Sequence, residues 1–160
     1  MVEVHDPDPP LILDLWIGAT FAEVRRGLGQ TRQALCGAGF DRSRGDEAEL
    51  VLAEALNNVV EHAYADQPTG RIHLQILANR RTVVLRLCDS GAAMPCGTLP
   101  EGRGHASTTP EKLPEGGYGW QLIHRLADAV CYDRSDGRNR LELRLAGPPA
   151  QGRANQRGCP

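Results

Sequence analysis

Excess charge is what this chain most conspicuously lacks: 18 Lys and Arg stand against 20 Asp and Glu, a net charge of −2. With no basic stripe there is nothing to hold a phosphate backbone by counterion release, which argues against nucleic acid as a direct partner. No apolar run approaches the length of a membrane span, and the opening MVEVHDPDPP has neither a positive start nor an apolar core. The expectation is a soluble cytoplasmic protein with no membrane partner. Paired cysteines are missing too. Cys36, Cys88, Cys96, Cys131 and Cys159 form an odd set without a CxxC pair, which argues against a disulfide framework and a zinc ribbon and for reduced thiols. Cys88, Cys96 and His105 are too irregularly spaced to read as metal ligands. There is no internal repeat, and 160 residues suit one domain with a good core rather than two.

What is present concentrates first in Glu49 to Tyr64, ELVLAEALNNVVEHAY, which carries a carboxylate, a carboxamide and an imidazole at Glu54, Asn58 and His62. Spacings of four put all three on one helical face. Leu52, Leu56, Val59 and Ala63 form a separate stripe able to bury itself, so the polar trio points elsewhere into the fold. Asn is a poor helix former and Asn57 doubles the penalty, together about 1 kcal/mol relative to Ala that packing or function must offset. The trio reads as selected for chemistry.

Around it the chain alternates between periods. After an opening expected to be flexible over 1–10, LILDLWIGA (Leu11 to Ala19) alternates at strand period. Thr20 to Ala38 repeats Phe21, Val24, Leu28 and Leu35 at helical spacing until Gly37 and Gly39 stop it. Asp46 is the expected cap of the helix that carries the trio, with Glu47 and Glu49 in its first turn. Arg71 to Asn79 and Thr82 to Cys88 read as a hairpin, with Asp89 just past its second strand. Ser90 to Gly117 has almost no periodicity and reads as a long loop, a mobile lid over 90–116. Trp120 to Ala129 is expected to be a third helix, and Val130 to Arg134 and Arg138 to Leu145 a hairpin about an Asp-Gly turn. Residues 147–160 have little to bury and are expected to be disordered. The order predicts an α/β two-layer sandwich over 11–146, with a mixed β-sheet covered by helices on one face.

Three motifs converge on the lid: the trio, Asp89-Ser90-Gly91 at a strand end, and Gly116-Gly117-Tyr118-Gly119 entering a helix. Together they resemble the ATP site of the gyrase, histidine kinase and MutL superfamily, the Bergerat fold. The wording EALNNVVEHAY, LCDSG and GGYGWQLIHRLAD is similar to the small, single-domain anti-sigma-factor serine kinases. The resemblance covers Leu11 to Leu145, and three ordered motifs are more specific than any one of them.

Each motif also has a physical reading. A carboxamide oxygen is a hard neutral ligand for Mg²⁺, which takes few protein ligands beside phosphate oxygens, so Asn58 is the expected metal ligand. The resemblance makes Glu54 the group that polarises the attacking hydroxyl or water, and a neighbouring triphosphate would raise its proton affinity. Asp89, ending an apolar strand, is expected at a pocket floor where it accepts the adenine amino hydrogen, with Gly91 leaving space for the base. Gly117 and Gly119 let backbone amides approach phosphate at a helix start. His62 either touches the phosphates or braces the site, whereas Cys88 and Trp120 read as packing.

The resemblance implies ATP and Mg²⁺ as cofactors and a homodimer. Its implied partners are a STAS-like anti-sigma-factor antagonist, phosphorylated on Ser or Thr, and a sigma factor held inactive in a nucleotide-dependent way. A strand at a sheet edge could serve a dimer. Two departures stand out. Sporulation-type members carry a basic residue shortly before the GxG, where this chain has Pro114-Glu115-Gly116, and Ala93 replaces a second glycine in the lid hinge. The alternatives are a nucleotide-gated binding module without phosphoryl transfer and a detached histidine-kinase catalytic domain.

Overall fold

The computed structural model describes residues 7–65, 67, 69–100 and 117–147. The expected lid is therefore described only as far as Pro100, and most of the expected N-terminal segment and tail lies outside the described residues. Five strands, β1 (Leu11–Gly18), β2 (Arg71–Ala78), β3 (Thr82–Asp89), β4 (Ala129–Ser135) and β5 (Arg138–Ala146), form one sheet in the order β1-β2-β3-β5-β4. Among the described residues three α-helices, α1 (Phe21–Gly37), α2 (Arg42–Asn58) and α3 (Gly117–Leu126), accompany the sheet.

Every neighbouring pair of strands is antiparallel, which corrects the expected mixed sheet. The reason is parity. Two helices between β1 and β2 return the chain in the opposite direction. One helix separates β3 from β4, so those two run the same way, but β5 inserts between them and pairs antiparallel with both. β1 and β4 are the edges.

Period-two alternation builds the inner face: Ile72, Leu74 and Ile76 on β2, Leu85 and Leu87 on β3, and Leu141, Leu143 and Leu145 on β5 are buried. The alternate positions carry polar pairs such as Arg86 with Glu142 and His73 with Asp14, each at 2.7 Å. Against the inner face α2 buries Val51, Leu52, Ala55 and Leu56, and α1 buries Val24 and Leu35. The expected apolar stripe is thus buried at Leu52, Leu56 and Val59 and half-buried at Ala63.

Two helix starts differ from expectation. α2 begins at Arg42 because Asp41, not Asp46, caps it, its carboxylate accepting the Arg44 N–H at 3.0 Å. α3 opens on Gly117 and ends at Leu126, since Asp128 already donates its N–H to the Arg144 carbonyl at 2.8 Å and joins the ladder. The Asp136-Gly137 turn holds as expected, with both residues at positive φ (52° and 73°), the hairpin geometry that matches strand twist.

Candidate functional site

α2 does not end as an α-helix. After Asn58 it widens into a π-helical turn, Val59–Ala63, in which Tyr64 N–H reaches the Val59 carbonyl at 3.1 Å. Such turns mark functional stretches of helices because they shift side chains out of the α register. Between this turn, the ends of β3 and β5, and α3 lies a cavity of about 330 Å³ lined by Asn58, His62, Asp89, Met94, Trp120 and Asn139 among others. Its size and its apolar wall with a few polar groups suit a small molecule.

Asp89 is the cavity's buried carboxylate. It continues the inward parity of Leu85 and Leu87 and is 5% exposed, so a charged group occupies a core-facing position. Oδ1 accepts the Gly91 N–H at 2.8 Å and Asn139 Nδ2 at 2.9 Å. Burial pushes its carboxyl above the usual carboxylate range, while Asn139, Gly91 and the nearby Arg134 cation pull it back. Among the described residues both bonds fall on Oδ1, leaving Oδ2 to take an incoming donor.

Gly91 packs against the π turn. A Cβ there would fall 2.5 Å from the Ala63 carbonyl oxygen and 2.8 Å from Ala63 Cβ. The missing side chain makes room for the π turn. The contact is fastened by Ala92 N–H donating to the Ala63 carbonyl at 2.9 Å.

The polar trio divides. Asn58 and His62 line the cavity, His62 as an exposed residue of the π turn. Glu54 instead lines a neighbouring groove of about 310 Å³ with Tyr118, Gly119, Gln121 and Arg125. Gly119 is where they meet, since a Cβ on it would stand 2.6 Å from Glu54 Oε2 and 3.8 Å from Asn58 Nδ2. Absence of a side chain at 119 therefore lets the first turn of α3 close onto α2. Asn58 Nδ2 is buried without a hydrogen-bond partner among the described residues. An orphaned buried amide costs on the order of 1–3 kcal/mol, and this one is a donor open to an acceptor. Gly117 is the first residue of α3.

Four residues escaped the sequence reading. Asn139, 6% exposed, shares the inward parity of Leu141, Leu143 and Leu145, so a polar residue in a core register was the available signal. Tyr132 and Arg134 both donate to its Oδ1, at 2.8 and 2.5 Å. Tyr64 is buried beneath the site: its hydroxyl donates to the Arg71 carbonyl at 3.1 Å and accepts the Ser90 N–H at 2.9 Å, tying the ends of β2 and β3 together. Burial raises its pKa, and the neighbouring Asp89 charge adds to that.

The family model for the histidine kinase-like ATPase domain matches residues 17–145, from β1 through β5. The chain belongs to this family. Its relatives include a Bordetella bronchiseptica serine/threonine-protein kinase, BtrW, 38% identical over 97 residues, with 59% of this chain and 65% of that protein covered. The match thus spans just under two thirds of the relative's length. The Oceanobacillus iheyensis serine-protein kinase RsbW is 29% identical over 116 residues, covering 69% of this chain and 73% of the relative. The Bacillus licheniformis anti-sigma F factor is 27% identical, covering 56% and 60%. Among solved structures, the RsbU and RsbW domains of a Mycobacterium tuberculosis protein superpose with a TM-score of 0.60 at 22% identity, over 91% of this chain and 35% of that one. That likeness confirms the two-layer fold of the family. Among the described residues no helix is long and apolar enough to cross a membrane, and no cluster of His, Cys, Asp and Glu forms a metal site.

Proposed function

We propose that this protein is a cytoplasmic, Mg²⁺-ATP-dependent serine/threonine kinase of the anti-sigma type, which phosphorylates a STAS-like anti-sigma-factor antagonist and holds a sigma factor, working as a homodimer. The observation that carries the reading is the pairing across one cavity of Asp89, a buried carboxylate with a free oxygen, and Asn58, a carboxamide with an unpartnered buried nitrogen. Asp89 accepts the amino group of the base. Asn58 fits a hard divalent cation through its amide oxygen, while its orphaned Nδ2, a donor that a cation does not satisfy, supports an acceptor such as a phosphate oxygen beside it. When bound, Mg²⁺ neutralises phosphate charge. The amides of Gly117 and Gly119 open α3, where the helix dipole favours phosphate, and His62 stands at the cavity mouth.

Glu54 is the general base. Its groove gives a protein hydroxyl a path to the carboxylate; as the hydroxyl proton passes to Glu54, the oxygen attacks the γ-phosphorus, the bond from that phosphorus to the β–γ bridging oxygen breaks, and ADP leaves. Pro114-Glu115 in place of a basic residue favours a second reading, a nucleotide-gated binding module without turnover. The test is transfer from γ-labelled ATP to a purified cognate antagonist. Acid-stable label on Ser or Thr is the expected result. ATP binding without transfer would leave the binding module, acid-labile label would indicate a phosphohistidine, and no ATP binding would overturn both readings.

A further inference from the structure

Asn139 makes four bonds with its one carboxamide. Nδ2 donates to Asp89 Oδ1 at 2.9 Å and to the Ala92 carbonyl at 3.0 Å, and Oδ1 accepts from the Tyr132 hydroxyl at 2.8 Å and Arg134 Nη1 at 2.5 Å. Turning the amide over would aim N–H at the Arg134 guanidinium and oxygen at a carboxylate and a carbonyl, so the orientation is fixed by chemistry. The same partners grip the chain that follows Asp89. Arg134 Nη1 donates to the Gly91 carbonyl at 3.0 Å, and the Tyr132 hydroxyl accepts the Met94 N–H at 3.2 Å. Gly91, Ala92 and Met94 are each held by a different side chain of the β4–β5 hairpin, and Ala92 and Met94 line the cavity.

We infer that Asn139 is a positioning residue that sets base selectivity: with Tyr132 and Arg134 it locks Asp89 and the Gly91–Met94 backbone into one frame that offers a purine a fixed acceptor, Asp89 Oδ2. With all four of its positions bonded, the Asn139 carboxamide is held rigidly. A 6-amino purine meets the acceptor with a donor, while a 6-oxo purine meets it with an oxygen and is repelled. Loosening the frame lets the carboxylate turn away from the oxo group and lets the 91–94 backbone recede, so discrimination falls more than triphosphate binding does.

The inference rests on the nucleotide reading, and calorimetric titration separates the two. Wild type, Asn139→Ala and Tyr132→Phe are titrated with Mg²⁺-ATP and Mg²⁺-ITP, which differ at the 6-position of the base. Wild type should prefer ATP by at least about tenfold, the scale of a site that must hydrogen-bond its ligand. In Asn139→Ala the preference should fall at least about fivefold, mainly through weaker ATP binding, and Tyr132→Phe should move the same way by about twofold to threefold. General loosening of the fold would weaken both nucleotides alike and leave the ratio in place. A ratio unchanged in a folded Asn139→Ala overturns the inference while the nucleotide reading stands. If that variant does not fold, an unchanged ratio in Tyr132→Phe overturns it. Absence of ATP binding by wild type overturns the nucleotide reading and this inference together.

Discussion

Gly91→Ala probes the seam between the π turn and the end of β3. The added Cβ would lie 2.5 Å from the Ala63 oxygen, 2.8 Å from Ala63 Cβ and 2.9 Å from the Ala63 carbonyl carbon. Non-bonded carbons rest at about 3.5–4.0 Å, so the two backbones must part by about 1 Å, and backbone cannot rotate aside as a side-chain tip can. Overpacking of this kind costs about 1–3 kcal/mol. Loss of the 2.9 Å bond from Ala92 N–H to the Ala63 carbonyl adds about 1 kcal/mol. A total of about 2–4 kcal/mol, at about 2–4 °C per kcal/mol for a domain of this size, lowers the melting temperature by about 4–16 °C. Gly91 is not among the positive-φ glycines, so the effect is steric alone. Thermal unfolding followed by circular dichroism reads it. Gly29→Ala is the control, because Gly29 sits exposed within α1 with nothing within 4 Å of an added Cβ. It should gain about 1 kcal/mol from helix propensity. A Gly91→Ala midpoint within about 2 °C of wild type would refute the seam.

Glu54→Gln should bind ATP as wild type does but transfer phosphate about a hundredfold more slowly, the scale of a lost general base, as measured by label transfer to antagonist. Unchanged transfer removes Glu54 from the chemistry. Asn58→Ala should abolish the Mg²⁺ dependence of ATP affinity, and calorimetry giving wild type the same affinity in excess EDTA as in Mg²⁺ would contradict the proposed metal ligand. Asp89→Asn should lose ATP affinity yet raise the melting temperature at neutral pH, because it keeps an acceptor for Asn139 while removing a buried charge. The sign follows from linkage: the folded pKa of Asp89 is raised above 3.8, so its contribution to stability is present below 3.8 and is lost as pH rises through the folded value. The wild-type gain from acidification through that window should accordingly be smaller in Asp89→Asn, and an identical pH profile in both proteins would show that Asp89 is not the group responsible.

Periodicity and motif order carried much of the result. Alternation placed Leu85 and Leu87 inward and so delivered Asp89 to the cavity floor, and the helical stripe of Leu52 and Leu56 turned Asn58 toward it. Those are local properties: a strand's period of two and a helix's of 3.6 follow from backbone geometry wherever the segment ends up. Neighbour relations are not local. That β5 inserts between β3 and β4, that a π turn separates His62 from Glu54, and that Gly91 yields its space to Ala63 depend on which segments press together after the chain has crossed the sheet. Asn139 marks the boundary between the two kinds of information. Its inward parity on β5 was legible along the chain, but its partners Asp89, Tyr132 and Arg134 come from two other strands, and only their meeting turns a polar core residue into the frame of the site.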